Sequence, residues 1–295
     1  MKFSIITATY NRRSLLENLY ESIVAQDSID IEWLIVDDGG TDDSANLIAR
    51  LAVDAPFEIR YIQQPNSGKA SAVNRGLGFA RGDLVVIIDD DDWLLPNVLG
   101  RVARDFERIR HSQKIGCLSY LSVDPAGKLW GSQFPSDYLV SDHFQCRMNG
   151  HIDGDKCEFV KGEVYRQHGI RFDTSGKRGG IGGDSLLHLA IAENFDTCYI
   201  NFKVLVKNYL PDGITVNWRR KALENPERTA SYYRAHLNPR ISLAIRWHYM
   251  VAWRAIYCIM KRTPRLESPQ PFSNRLLFLA ARLPGALLGI HWSRK

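Results

Sequence analysis

Cysteine is scarce and scattered. Cys117, Cys146, Cys157, Cys198 and Cys258 are the five in 295 residues, an odd number with no C-x-x-C pair. That excludes a disulfide framework and a thiolate zinc site, and it fits a reducing compartment such as the cytoplasm. The eight histidines include no close pair of the metal-binding type, so none is given a metal role. The apolar run Phe3 to Ile6 stops at polar Thr7, too short for a signal-peptide core, and no leader is expected. Internal repeats and low-complexity tracts are absent. Long apolar runs are few. Residues 241–260 have the length to span a bilayer, but Arg246, His248 and Arg254 interrupt them. Each central Arg costs roughly 2.5–3.5 kcal/mol on insertion. Residues 276–290 are short and carry Arg282 and Pro284.

What is present is an ordinary globular composition, 45% hydrophobic and 24% charged, with an uneven distribution of charge. Residues 219–295 hold 15 Lys and Arg against Glu224, Glu227 and Glu267, a balance of +12. The rest holds 23 basic and 30 acidic residues, a balance of −7. A basic extension calls for an anionic partner. At about 100° per residue, Arg246, Arg254 and Lys261 fall within an arc of roughly 80°, the pattern of an amphipathic helix on a membrane surface. Aromatics accompany the cations: Trp247, Tyr249, Trp253, Tyr257, Phe278 and Trp292. The tail is too apolar for a surface that only tracks phosphates, so nucleic acid is not expected. Peripheral contact with an anionic membrane is, at its inner face. The competing arrangement buries the apolar helix faces on the rest of the chain or in a homodimer.

The first third alternates strand and helix signals. Phe3–Thr7 predicts a strand, then a helix capped by Asn11 or Ser14 runs to about Gln26. Ile31–Val36 predicts a second strand, residues 41–51 a second helix, Phe57–Ile62 a third strand and Lys69–Ala80 a third helix. Leu84–Ile88 predicts a fourth strand. Repeated β-α order implies parallel strands. Residues 93–175 are less regular. Lys177–Gly183 is a glycine-rich basic loop, with a helix expected over Asp184–Glu193 and a strand over Val204–Tyr209.

The fourth strand runs directly into Asp89-Asp90-Asp91-Asp92. Adjacent carboxylates repel, and more so as water is excluded. A hard divalent cation relieves that cost and takes carboxylates together with substrate phosphates. The second strand also ends in acids, Asp37-Asp38, followed by Gly39-Gly40. Open α/β sheets bind ligands outside the carboxyl ends of their strands. Together these runs point to a metal–diphosphate site.

Four blocks in this order carry a resemblance. They are Ser4–Asn11, Val36–Asp42, Asn66–Lys69 with Asn74 and Gly76, and Gly82-Asp83 ahead of Asp89–Pro96. The chain resembles an inverting family 2 glycosyltransferase, closely over residues 1–97, loosely to about 210 and not in the tail. The resemblance implies a GT-A fold: α/β, a Rossmann-like mostly parallel sheet flanked by helices, followed by a C-terminal helical extension. The implied domains are a catalytic domain over 1–218, with a nucleotide-sugar-binding half (1–97) and an acceptor-side half (98–218), and a basic extension over 219–295. By the same resemblance Thr7, Ala8 and Asp38, with Asp37 as neighbour, line the nucleoside pocket, where a carboxylate accepts from a uracil N–H. Lys69, Asp89 and Asp90 join them on the nucleotide-sugar. Asp91 is the direct contact to Mn²⁺ or Mg²⁺, with Asp90 or Asp92 assisting. The catalytic carboxylate falls at Asp184, although the Glu that commonly precedes it is Gly183 here. Asp153, Asp155, Glu158 and Asp173 are its rivals.

The implied reaction is a single displacement from a nucleotide-sugar, a UDP-sugar by expectation, to a hydroxyl of a glycan or lipid-linked glycan in surface-polysaccharide assembly. The loop Lys177–Gly183 is expected to close over the diphosphate or to serve as a plain connection. Trp93 is expected in the core rather than at the sugar. A sugar-nucleotide nucleotidyltransferase would need glycines directly after strand one, and Thr7–Arg13 has none. A non-catalytic nucleotide-sugar-binding module would have no need of the retained acids.

Overall fold

The computed structural model of the protein describes residues 1–27, 30–174, 183–210, 217–262 and 271–293. Two compact units emerge. The first comprises Met1–Asp142, Ile152–Phe172 and Ala190–Leu210, and the second His143–His151, Asp173–Leu189 and Pro211–Lys295.

The first unit follows the expected β-α order: β1 (Lys2–Thr9), α1 (Arg13–Val24), β2 (Asp30–Asp37), α2 (Ser44–Leu51), β3 (Glu58–Gln63), α3 (Lys69–Phe79) and β4 (Leu84–Ile87). It continues with β5 (Trp93–Leu94), α4 (Leu99–Ile109), β6 (Ile115–Val123), β7 (Leu139–Ser141), β8 (Lys156–Lys161) and α5 (Gly162–His168). After α6 (Gly183–Ala192), most of which belongs to the second unit, comes β9 (Asp196–Val206), which starts and ends earlier than the expected 204–209. The strands form one sheet in the order β3-β2-β1-β4-β8-β6-β9-β5, with β7 also on β9. Strands β3, β2, β1 and β4 are parallel. Strand β8 then runs antiparallel between β4 and β6, and β9 is parallel to β6. The sheet is parallel where the β-α repeat is regular and mixed where it is not.

Burial explains the apolar runs. Strands covered on both faces read as continuous hydrophobic sequence. Phe3 and Ile5 of β1 and Trp33 of β2 pack with Leu16, Leu19 and Ile23 of α1 and Val102 and Phe106 of α4. On the other face α3 comes close: a Cβ at Gly76 would lie 2.6 Å from Ile6.

The second unit contains α7 (Trp218–Glu224), α8 (Pro226–Ala235), α9 (Leu243–Ile259), α10 (Phe272–Ala280) and α11 (Arg282–Ser293). Its core joins Tyr233, Met250, Trp253, Ile256, Leu277 and Ala281. The cationic arc expected on α9 is not an outer face. Arg246 is only 7% exposed. It donates to the Ile241 carbonyl at 2.9 Å, Ser273 Oγ at 3.0 Å and Asn274 Oδ1 at 2.8 Å. Arg254 lies 4.3 Å over the Phe278 ring and donates to the Phe278 carbonyl. Lys261 lies beyond the end of the helix, at φ 54°. The physical cause is that α10 brings neutral acceptors to Arg246 and Arg254 inside the unit.

Helix α11 meets α9 through glycine. A Cβ at Gly289 would stand 2.8 Å from the Ala255 carbonyl oxygen and 2.8 Å from Cys258 Cβ. Backbone cannot yield as a side-chain tip does, so Gly289→Ala is expected to destabilise the protein by about 1–3 kcal/mol. Denaturant unfolding followed by circular dichroism measures it; an unchanged midpoint would show that the two helices do not pack this closely.

Candidate functional site

The site is built from strand ends. The β1 and β2 ends are joined where Asp38 N donates to the Thr9 carbonyl at 2.9 Å, and the β2 and β3 ends where Gln64 N donates to the Asp37 carbonyl at 3.0 Å. Asn11, at φ 52°, turns its Oδ1 to the backbone N–H of Thr41 at 2.7 Å. Gly39 adopts φ +81°, and a Cβ there would fall 2.7 Å from Asn66 N. A side chain at Gly39 would therefore be strained and obstructed. The loops after β1, β2 and β3 thus form one tied surface.

The two acids after β2 hold these loops. Asp38 is buried, and its carboxylate accepts from Gln64 Nε2 (2.7 Å), Ser67 N (2.8 Å) and Gly68 N (2.7 Å). Asp37 accepts from Gly40 N at 2.7 Å and from the Tyr61 hydroxyl. Thr7 is fully buried, and its hydroxyl accepts from the Trp33 indole at 3.0 Å, inside the core. Ala8 is partly exposed. Asp37 and Asp38, both buried, therefore tie these loops together, whereas the Thr7 hydroxyl is turned into the core.

The run Asp89–Asp92 follows β4. Asp89, Asp91 and Asp92 each offer a carboxylate oxygen, and these oxygens all lie within 4.8 Å of one another. Each cation in contact with the run comes from a different part of the first unit. Lys69, at the start of α3, is 2.6 Å from Asp89. Arg12 reaches Asp90 at 3.1 Å and Asp91 at 3.2 Å, and Thr9 Oγ1 donates to Asp90 at 2.8 Å. Lys207, just past β9, is 3.1 Å from Asp92. Burial opposes the charge of Asp89, but Lys69, Lys207 and Arg12 outweigh it and hold its pKa down at about 2. Burial pushes Asp90 up to about 6 against the pull of Arg12, and Asp92 up to about 6 against the pull of Lys207. Asp91 is raised by burial and then by Asp89. The run is thus a strained anionic cluster with three hard oxygen donors converging, a set that fits Mg²⁺ or Mn²⁺.

Arg12 and Lys207 are absent from the sequence-based set of site residues. Arg12 had a signal, since it lies just past the end of β1 and β1 pairs with β4. Lys207 had none, because only the sheet pairing of β9 carries it to Asp92.

Asp184 lies in the first turn of α6, exposed, in the second unit. One helical turn on, His188 stacks with His143 at 5.8 Å between ring centroids. Of the expected closing loop Lys177–Gly183, residues 177–182 lie outside the described residues, and Gly183 opens α6. Of the rival carboxylates, Asp155 accepts from Tyr209 and sits 3.7 Å from Lys207. Asp153 accepts from Ser132 and Glu158 from Ser119. Asp173 belongs to the second unit. Trp93 pairs with Val206 in the sheet and is partly buried.

The fold is shared with solved structures. TarS of S. aureus (residues 1–349, in complex with UDP-GlcNAc) superposes at a TM-score of 0.63 over 95% of this chain and 79% of that one, at 17% identity. The mannosyltransferase PcManGT from Pyrobaculum calidifontis, in complex with GDP-Man and Mn²⁺, gives 0.59 over 99% and 88%, at 16% identity. These likenesses establish the glycosyltransferase GT-A fold. Residues 4–179, more than half of the chain, match Glycosyl transferase family 2, and the chain belongs to that family. A Campylobacter jejuni relative, GalNAc(5)-diNAcBac-PP-undecaprenol beta-1,3-glucosyltransferase, is 38% identical over 103 residues, 33% of this chain and 32% of that protein. The matches to the first curated relatives span between 32% and 38% of those proteins' length.

Proposed function

We propose that the protein transfers a sugar from a nucleotide-sugar, a UDP-sugar in our reading, to a hydroxyl of a glycan or lipid-linked glycan, with inversion at the anomeric carbon. The carrying observation is the convergence of Asp89, Asp91 and Asp92 at a strand end of a GT-A sheet, ringed by Arg12, Lys69 and Lys207. A carboxylate-rich pocket repels a diphosphate, whereas the same pocket loaded with a divalent ion and flanked by cations attracts it. Asp91 and Asp92, with Asp89 beside them, would hold Mn²⁺ or Mg²⁺, which when bound neutralises charge on the leaving diphosphate. The UDP and GDP sugars held by the two structural neighbours support a diphosphate-linked donor. The relative's name supports a lipid-linked acceptor.

In this reading the surface of Ala8, Asp37 and Asp38 receives the nucleoside, and Lys69, Arg12 and Lys207 steady the diphosphate. Asp184 accepts the proton of the acceptor hydroxyl as its oxygen attacks the anomeric carbon. The carbon–oxygen bond to the diphosphate breaks, and the diphosphate leaves with the electron pair. One displacement on the opposite face inverts the configuration, and no covalent sugar–enzyme bond forms. The basic extension over 219–295 is proposed as a separate element with its own partner.

A thermal-shift panel tests the donor. A UDP-sugar is expected to raise the melting temperature with Mn²⁺ or Mg²⁺ and far less with chelator. Stabilisation by GDP-sugars alone would overturn the nucleotide reading. NMR of the isolated product is expected to show the anomer opposite to the donor; retention would overturn the displacement.

A further inference from the structure

Helices α10 and α11 are apolar on two faces. The inner face packs in the second unit through Leu277, Ala281, Gly285 and Gly289. The outer face carries Phe272 (74% exposed), Leu276 (51%), Leu279 (69%), Leu283 (68%) and Leu287 (60%). Their spacing, four, three, four and four residues, is that of one helical stripe. The two helices nearly continue one another, since Ala281 N donates to the Leu277 carbonyl and Gly285 N to the Ala281 carbonyl. Pro284 has no N–H for the Ala280 carbonyl, which accounts for the break. At 1.5 Å per residue the stripe is roughly 22 Å long. So continuous an exposed apolar surface marks an interaction site.

We propose that this outer face docks on an anionic lipid bilayer. Charge selects the occupant. Arg275 and Arg282 are exposed on the same two helices, and residues 268–295 contain no Asp or Glu. A second copy in a symmetric contact would bring this basic rim against itself. Nucleic acid supplies phosphates but no apolar layer for five large side chains. A bilayer supplies both, acyl chains for the stripe and anionic headgroups for the rim. No helix among the described residues is long and apolar enough to cross a membrane, so the helices lie along its surface. The surface differs from the one the sequence suggests, because the cations of α9 are spent inside the unit.

The test is flotation of the full chain with vesicles of phosphatidylglycerol and phosphatidylcholine, against phosphatidylcholine alone. Binding to the anionic vesicles at low salt, weakened at high salt, is expected. Leu279→Asp with Leu283→Asp should weaken it roughly tenfold or more. Arg275→Gln with Arg282→Gln should weaken it about fivefold for each charge removed. Circular dichroism checks the folding of both variants. If the acidic pair fails to fold, the glutamine pair decides the question, because it leaves the apolar stripe intact. Equal flotation on both vesicle types, or flotation on neither, would overturn the proposal. So would a dimer in sedimentation that the acidic pair dissociates, which would make a second copy the occupant.

Discussion

Asp91→Ala is expected to abolish transfer while leaving the fold intact. Asp91 is one of three carboxylates whose oxygens converge within 4.8 Å, and it pairs with Arg12 at 3.2 Å. Losing one ligand of a catalytic divalent ion removes several kcal/mol of charge stabilisation. At about 1.4 kcal/mol per decade, the expected loss is on the order of a thousandfold in rate. Stability should move the other way. Burial and Asp89 raise the pKa of Asp91 above its ordinary value. A carboxyl raised in the folded state contributes stability below its unfolded pKa and loses that contribution as pH rises through the folded value. At neutral pH the Asp91 charge therefore costs stability, and its removal should leave the melting temperature of the metal-free protein unchanged or higher. Rates across a Mn²⁺ titration and melting curves with and without metal measure both effects. Near-normal turnover at saturating metal would show that Asp91 is not a ligand.

The β-α order through residue 97 is legible because strands buried on both faces must be continuous apolar runs, and here two of them end in acids. The middle of the sheet hides for a physical reason. Strand β8 begins with Lys156 and ends with Lys161, both buried, which argues against a central strand on sequence alone. Their ammonium groups bond to loop carbonyls instead, Lys161 to Arg110 and Ser112 and Lys156 to Trp130 and Asp153. Helix α4 does show its period, with Leu99, Val102, Phe106 and Ile109 buried on one side, inside a stretch that otherwise looks irregular. At the site, four consecutive acids are hard to miss. Their cations are less legible: Lys69 and Arg12 stand close to the motif blocks, but Lys207 is carried to Asp92 only by the sheet pairing of β9. The tail follows the same logic: Arg246 looks like a surface cation until Ser273 and Asn274 supply its acceptors.

Asp184→Asn is expected to lose turnover by roughly a hundredfold to ten-thousandfold, the range of general base catalysis, while donor binding is kept. Asp184 stands in the first turn of α6, where its charge also favours the helix dipole by about 0.3–1 kcal/mol. Asn forfeits that small term but keeps size and hydrogen bonding, so unfolding cannot account for a large loss. Thermal shift with donor and metal should match the parent protein, which places the defect after donor binding. Asp155→Asn is the matched control. Asp155 sits 3.7 Å from Lys207, which itself pairs with Asp92, so it is the rival that the first unit brings to the acid run. Asn keeps an amide oxygen for the Tyr209 hydroxyl but loses the charge that faces Lys207, with an expected effect on donor affinity rather than on turnover. If Asp184→Asn stays within about tenfold of the parent and Asp155→Asn loses turnover instead, the base is Asp155 and Asp184 only starts a helix.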